Sequence, residues 1–580
     1  MKKRFAKLMS VLLAGAMCTG MLAGCGSGAK AGAASTSAAS GSSSTEAASS
    51  TSTASASATS AAGTAKDNIL SFQIGVAIDS MDPQLANDGT SFSVLSQCME
   101  GLLTKDADGN VIKAMAADEQ VSEDGLTYTF TLRDDITWSN GDPVTADDFV
   151  FAWQRLADSN LASDYQFFVQ TACLENADAI VAGEADITTL GVEATDDKTL
   201  VCHLSSPCAI FDNLMTFPSF FPVSRSFYES CGGNFATSPE TINCNGAFVI
   251  NSYEPSAVTI TAEKNADYYD ADKVSLEGVE WQVMLEAQTA AMSYESGDLD
   301  VTTLTGDLIE QYQDDPAFTT VHDSYLWYVS PNMEVTGLDN ENIRLALAKS
   351  VDKTAICDTL LKDGSTEADF VVPYGLGTSP DGDDFRDTAG DSYDAFTYDV
   401  AAAQEAWDAG LQELGVDSLT FDFVTEDSDS AQQVAQFIMD QWQTNLSGLT
   451  INLVVEPKKA RLEDMREGNY QLGLTRWGAD YADPMTYLDM FITESTTNYM
   501  NWTNADYDAA IESAKYGELA LDVNARWDSL VEDEKLLADD CVLMPMYHVS
   551  VAYMINPAVT GISFYNTGAN YSFKNAVIAQ

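Results

Sequence analysis

The stretch LTYTFTLRDDITWSNGDPVTADDFVFAWQRL, residues 126–156, carries the clearest local pattern in the chain. Leu126, Tyr128, Phe130 and Leu132 alternate with Thr127, Thr129 and Thr131, the period of two that marks a strand with one buried face. Asn140-Gly141-Asp142-Pro143 is a turn sequence. Thr145 and Asp148 then form a T-x-x-D capping box, and Phe149, Ala152, Trp153 and Leu156 share one face of the helix it starts. The apolar residues read as core and the carboxylates as caps, so this stretch is scaffold.

The same alternation of strand and helix continues outward. ILSFQIGVAI (69–78) reads as a strand, and NGAFVINSYEPSAVTITAEKN (245–265) as two strands with a turn at Glu254-Pro255. NIRLALAKSVDKTAIC (342–357) reads as an amphipathic helix with Ile343, Leu345, Leu347 and Val351 inward. LTFDFVTED, SAQQVAQFIMDQWQTNL and LTINLVVEP (419–457) read as a βαβ unit, which requires a right-handed crossover and a parallel pair in a mixed sheet. The chain shows no fixed-period repeat. These elements predict an α/β protein in at least two lobes.

At 580 residues, 45% of them hydrophobic, the chain is long enough for more than one core. Its formal charge of −60, with only three histidines to modulate it, excludes nucleic acid and anionic lipid as partners. The first residues differ from this acidic body. Lys2, Lys3, Arg4 and Lys7 precede the apolar run VLLAGAM, which is the layout of an export signal too short to span a membrane. It ends in LAGC (22–25), which resembles the bacterial lipobox; Cys25 is then diacylated and becomes the new N-terminus. The alternative is an ordinary signal with a coincidental cysteine. Residues 26–66 are almost all Ala, Ser, Thr and Gly and read as a flexible tether. Outside the cell Cys202 with Cys208, and Cys231 with Cys244, are candidate disulfides by proximity in sequence. The absence of a CxxC or Cys/His cluster argues against zinc, and no cofactor is expected.

Five motifs occur in one order: MDPQLANDGTSFSVLSQCMEGLL (81–103), WSNGDPVTADDFVFAWQRL (138–156), SPETINCNGAFVI (238–250), IRLALAKSVDK (343–353) and RWGADYADPMTYLDMF (476–491). With them, the sequence from about residue 69 onward resembles the extracytoplasmic peptide-binding proteins of ABC importers, of the oligopeptide-binding type. The resemblance implies a periplasmic-binding-protein-like, two-lobed α/β fold with mixed sheets, a hinge between the lobes and an extra domain. The expected boundaries are a signal peptide over 1–24, lipidated Cys25 and linker to 66, lobe I over 67–99, 229–330 and 545–580, extra domain II over 100–228, and lobe III over 331–544. It also implies a peptide lying extended between the lobes, paired by its main chain as an added strand, and handed to a membrane permease. The expected location is the cell membrane, lipid-anchored on its extracytoplasmic face.

The site residues follow the family's W-x-x-D-Y motif, here Trp477-Gly478-Ala479-Asp480-Tyr481. In the family its aspartate pairs with the peptide's α-amino group, which points to Asp480. A desolvated ammonium needs a fixed counter-charge and hydrogen-bond acceptors, and a carboxylate supplies both. Thr475, Arg476, Trp477, Gly478 and Ala479 are the expected strand surface, where Gly478 permits close approach. Trp477 either packs over a ligand side chain or fills the core. Asp483, followed by Pro484, reads instead as a helix N-cap with Pro at N1. The resemblance places Asn87, Asp88, Gly89 and Thr90 opposite, Tyr165 near the amino end, and Asn498 as a further contact; a turn, a core tyrosine and a loop amide are their structural alternatives. Arg461, Arg466 and Arg476 do not match the spacing of the basic residues that hold the peptide carboxylate in better-known members. Gly478 stands where some relatives carry a cysteine, so the disulfide found there should be absent.

An enzyme is the main competing class. Acidic residues and tryptophans also build glycoside hydrolase sites, but no pair can be singled out among 88 acidic residues. GxSxG, HExxH and P-loop patterns are lacking, and His203, His322 and His548 stand apart. A non-peptide ligand on the same fold, an oligosaccharide or a nickel chelate, is the other alternative. Trp-x-x-Asp-Tyr favours a free amino terminus over either, and no enzymatic activity is expected.

Overall fold

The computed structural model describes residues 68–379, 382–493 and 495–579. The export signal, Cys25 and the tether lie outside these residues.

The strand, turn and helix of residues 126–156 form as their pattern requires. Thr127–Leu132 is a strand with Phe130 and Leu132 buried, and the helix spans Ala146–Ala157 with Phe149, Ala152, Trp153 and Leu156 at zero exposure. The Thr145/Asp148 capping box is present. The Asp148 carboxylate also accepts from Trp138 Nε1 at 3.0 Å and Thr145 N at 2.9 Å, while burial pushes its pKa up. The cap therefore also satisfies a buried indole N–H, a group that is costly to leave unpaired. At the turn, Gly141 takes φ +88°, a left-handed conformation that favours glycine.

Two sheets carry the rest. The strands are β1 (Ile69–Ile74), β2 (Ala116–Val121), β3 (Thr127–Leu132), β4 (Val192–Asp196), β5 (Thr199–His203), β6 (Phe248–Ser252), β7 (Thr259–Lys264), β8 (Gly278–Val283), β9 (Val301–Leu304), β10 (Phe318–Pro331), β11 (Leu419–Glu426), β12 (Leu449–Glu456), β13 (Leu472–Trp477) and β14 (Met544–Ile555). The helices used below are α1 (Gly89–Cys98), α2 (Ala146–Ala157), α3 (Glu341–Lys349), α4 (Asp429–Asn445) and α5 (Val523–Asp539). The small sheet is antiparallel in the order β2-β3-β5-β4. The large one runs β12-β11-β13-β10-β14-β9-β1-β8-β7-β6 and mixes parallel with antiparallel pairs. Its βαβ unit is as expected: β11 and β12 pair in parallel from Leu419↔Leu449 to Glu426↔Glu456, with α4 between them. Trp442 of α4 is fully buried and donates Nε1 to Leu347 O of α3 at 2.9 Å.

The long strands β10 and β14 join the two halves of the large sheet. Their register breaks between His322 and Leu326 and again between Trp327 and Tyr328. A break of this kind bends a strand and re-aims its side chains; here it turns out Ser324 and Tyr325, whose place at the site is given below.

Two expectations are corrected. The helix at 342–357 is interrupted: α3 ends at Lys349, and the Asp352 carboxylate caps a new turn by accepting from Ala355 N at 3.0 Å. Val351 is buried, but in the link between them. The proposed cysteine pairs do not meet; all eight cysteines among the described residues are free thiols. Cys202 points into the core from β5, and Cys231 sits half-buried after a separate short helix, so closeness in sequence does not become closeness in space. Among the described residues no helix is long and apolar enough to cross a membrane.

Candidate functional site

β13 reaches the site with one side open. It pairs antiparallel with β10 from Pro331↔Leu472 to Leu326↔Trp477, but its parallel pairing with β11 stops at Val424↔Gly473. Among the described residues no strand takes the β11 side of residues 474–477; Leu474 O there accepts from Arg461 Nη1 at 2.8 Å. The rest is an edge of the kind that pairs with added strands. Leu474 and Thr475 are fully buried, main chain included, so the edge left to a ligand is the main chain of Arg476 and Trp477; the Arg476 side chain itself is bound to Glu426 at 2.7 Å and lies 4.6 Å over the Trp327 ring.

Beyond β13 the chain turns through residues 477–480, pinned by its neighbours. Trp477 Nε1 donates to Thr486 O at 2.9 Å, Ala479 N to Ser324 Oγ at 3.1 Å, and Asp480 N to Thr486 Oγ1 at 3.2 Å. The Tyr487 hydroxyl donates to Trp477 O and to Ser324 O. A Cβ on Gly478 would lie 2.6 Å from the Tyr325 ring, so any side chain there would require that ring to move. Trp477 is half-buried against the core with its indole N–H satisfied.

The two aspartates of this loop differ in kind. Asp483 is paired bidentately with Arg526 of α5, at 2.8 and 2.7 Å, and accepts from Met485 N at 2.9 Å. It does the capping expected of it, although the helix is measured from Met485 with Pro484 at the cap, a shift of one residue. Asp480 is half-buried, and among the described residues neither a cation nor a hydrogen-bond donor meets its carboxylate. Burial, then the charge of Asp489, pushes its pKa up to about 6. Asp489 is itself held by Lys515 at 2.6 Å.

The opposing residues come from two other segments. Asp88 caps α1, accepting from Thr90 N at 2.9 Å and Ser91 N at 3.0 Å, and Asn87 Nδ2 donates to Asp164 Oδ2 at 2.7 Å. Gly89 opens the helix with Asn570 against it; a Cβ would lie 3.3 Å from Asn570 Oδ1. Tyr165 packs edge-on to Phe92 and Phe168. Burial and then the charge of Asp480 push its phenol above the ordinary range, with a smaller contribution from Asp88, so these three groups share one electrostatic neighbourhood. Tyr325 feels Asp480 as well, after burial and Asp323. Asn498 is used elsewhere: its amide donates to Phe491 O, Ile492 O and Trp502 O, at 3.2, 3.2 and 2.8 Å, and accepts from Trp502 N, so the loop-amide alternative describes its bonding.

Asp480 also faces a small cavity of about 50 Å³, lined by Tyr481, Ala482, Asn213, Phe217, Lys105 and Tyr565 among others. Lys105 donates to Thr567 O and Oγ1 at 2.9 and 2.6 Å, and burial lowers its pKa to about 8. Tyr325 and Lys105 were not legible as site residues. Tyr325 is placed by a register break and Lys105 by a hairpin, and neither leaves a local signature.

Comparison with known proteins fits this geometry. The profile of bacterial extracellular solute-binding proteins, family 5, matches residues 110–499. The chain belongs to this family. Its members are solute-binding proteins, not enzymes. The dipeptide-binding protein of Lactococcus lactis subsp. cremoris is 31% identical over 529 residues, covering 89% of this chain and 95% of that protein. Among solved structures, Listeria monocytogenes OppA bound to peptide is 35% identical, with a TM-score of 0.70 over 89% of this chain and all of that one. The murein tripeptide-binding protein MppA in its unliganded open form scores 0.76 at 26% identity, covering 89% and 98%. Other relatives include dipeptide-, oligopeptide- and murein peptide-binding proteins and a probable deoxycholate-binding periplasmic protein of Escherichia coli, and this chain has the mixed α/β, periplasmic-binding-protein-like fold of the solved structures.

Proposed function

We propose that the protein is the substrate-binding lipoprotein of an ABC importer, that it captures short peptides in the interlobe cleft, and that it delivers them to the membrane permease. The observation that carries this reading is Asp480, a half-buried carboxylate without a protein partner at the end of an open strand edge. An uncompensated buried charge is costly, and a peptide's α-ammonium compensates it. The exposed edge of β13 gives the peptide main chain its hydrogen bonds, so affinity depends little on side chains. Asn87, Asp88 and Gly89 approach from α1, and Tyr165 closes the amino end beside Asp480.

In this reading the sheet half with β1 and β6–β9 belongs to lobe I (67–99, 229–330, 545–580), the half with β11–β13 to lobe III (331–544), and the small sheet to the extra domain (100–228). The hinge lies in β10 and β14 at the register breaks. The better match to an unliganded open relative agrees with lobes standing apart before a ligand arrives. Cys25 carries the lipid that anchors the protein outside the cell; at ~0.8 kcal/mol per buried CH₂ acyl chains hold without a spanning helix. Cys25→Ser should release the protein into the medium, and retention on the membrane would remove this part of the reading.

Mass spectrometry of small molecules released from the protein purified from its own cells tests the ligand class. Short peptides with free amino ends are expected. Recovery of oligosaccharides or a nickel chelate in their place would overturn it.

A further inference from the structure

Four of the eight free thiols meet in two pairs, and neither pair is adjacent in sequence. Cys98, the last residue of α1, and Cys244 are both fully buried, and their backbones run side by side. The backbone fixes this approach. Asn245 N and Gly246 N both donate to Cys98 O, at 3.1 and 2.9 Å. A Cβ on Gly246 would fall 2.7 Å from the Cys98 carbonyl carbon, so only glycine lets the segment carrying Cys244 lie this close.

Cys173 and Cys208 form the second pair. Their Sγ atoms lie 3.7 and 3.5 Å from the same acceptor, Thr171 O, which brings the two thiols together. Here too the backbone holds the register. Ser205 donates from N and Oγ to Cys173 O at 2.8 and 3.2 Å, and Leu174 bridges to Leu204. Cys173 takes φ +54°, a conformation that a non-glycine residue adopts only when its surroundings hold it there.

We propose that Cys98–Cys244 and Cys173–Cys208 are two disulfide sites, closed by exchange with a thiol-disulfide oxidant in an oxidising compartment. One cysteine thiolate attacks a sulfur of the oxidant's disulfide and expels one oxidant thiol. The second cysteine thiolate then attacks the mixed disulfide and expels the other. Two cysteine thiols and one disulfide become one new disulfide and two thiols, with no further electrons or protons required.

Both closures brace the wall that faces Asp480. Cys98 ends the helix that Asp88 begins, and Cys173 follows the Phe168 turn against which Tyr165 packs. The four remaining thiols, Cys202, Cys231, Cys357 and Cys541, have no thiol partner among the described residues.

The test is to refold the full chain from urea in a reduced/oxidised glutathione buffer, alkylate the free thiols, and map tryptic peptides without reduction. Crosslinked peptides joining Cys98 to Cys244 and Cys173 to Cys208 are expected, with Cys202, Cys231, Cys357 and Cys541 alkylated. Cys98→Ser and Cys173→Ser should each remove only its own crosslink, and reducing the native protein should lower its thermal midpoint by several degrees. Alkylation of all four paired cysteines, or a Cys202–Cys208 or Cys231–Cys244 crosslink in their place, overturns the proposal.

Discussion

Asp480 and Asp483 stand three residues apart, and only Asp483 has a cation. Replacing each by asparagine should therefore move stability in opposite directions. Asp483→Asn leaves Arg526 buried and unpaired, which costs about 3–5 kcal/mol, and the thermal midpoint should fall. Asp480→Asn removes an uncompensated charge. A carboxylate held near pH 6 against an ordinary 3.8 binds more protons folded than unfolded between those values, so its contribution worsens as pH rises through them. At neutral pH the cost is about 3 kcal/mol, and Asp480→Asn should raise the midpoint there. Differential scanning calorimetry of the two variants at pH 7 checks this; a lower midpoint for Asp480→Asn would show the carboxylate to be compensated.

The same carboxylate sets a pH dependence for binding. Only its ionised form can pair with an ammonium, and the peptide amine stays protonated throughout this range. Below pH 6, affinity should weaken about tenfold per pH unit, and the Asp480→Asn profile should be flat. The neighbouring charges are Asp489, already bound to Lys515, and the phenols of Tyr165 and Tyr325, which stay neutral. A wild-type profile that is flat from pH 7 to 5 would remove Asp480 from the contact.

At the scale of elements, the open side of β13 carries its own prediction. An added strand alternates between residues whose N–H and C=O face the edge and residues whose groups face away. N-methylation along a bound peptide should therefore weaken binding at alternate positions, read by calorimetry, and a uniform small effect would argue against strand pairing. Elements governed by local rules were readable in advance. The period of two in residues 126–132, the Thr145/Asp148 box and the βαβ pattern of 419–457 each formed where expected, because neighbours in sequence decide them. The break after Lys349 and the pairing of Cys98 with Cys244 were not readable, since they depend on residues far away in the chain. The site divides in the same way. Its motif named the loop that holds Asp480, whereas Tyr325, brought to Gly478 by a register shift, needed the fold to be seen.

For the whole molecule, the large sheet supplies the logic that joins site to fold. β10 and β14 run through both of its halves, and their register breaks fall where Ser324 and Tyr325 touch the Asp480 loop. On the proposed reading, movement at the breaks would be coupled by contact to occupation of the site, as in a hinged binder. The acidic surface, with 88 acidic against 28 basic residues, adds a long-range attraction for cationic ligands but no selectivity by itself. On the proposed reading the selective element is the Asp480 counter-charge. Titration calorimetry of one tripeptide in free and N-acetylated form tests this most directly. Acetylation, by leaving the Asp480 carboxylate unpaired under the ligand, is expected to cost about 2–5 kcal/mol, a loss of roughly thirtyfold or more. Equal affinity for the two forms would contradict it.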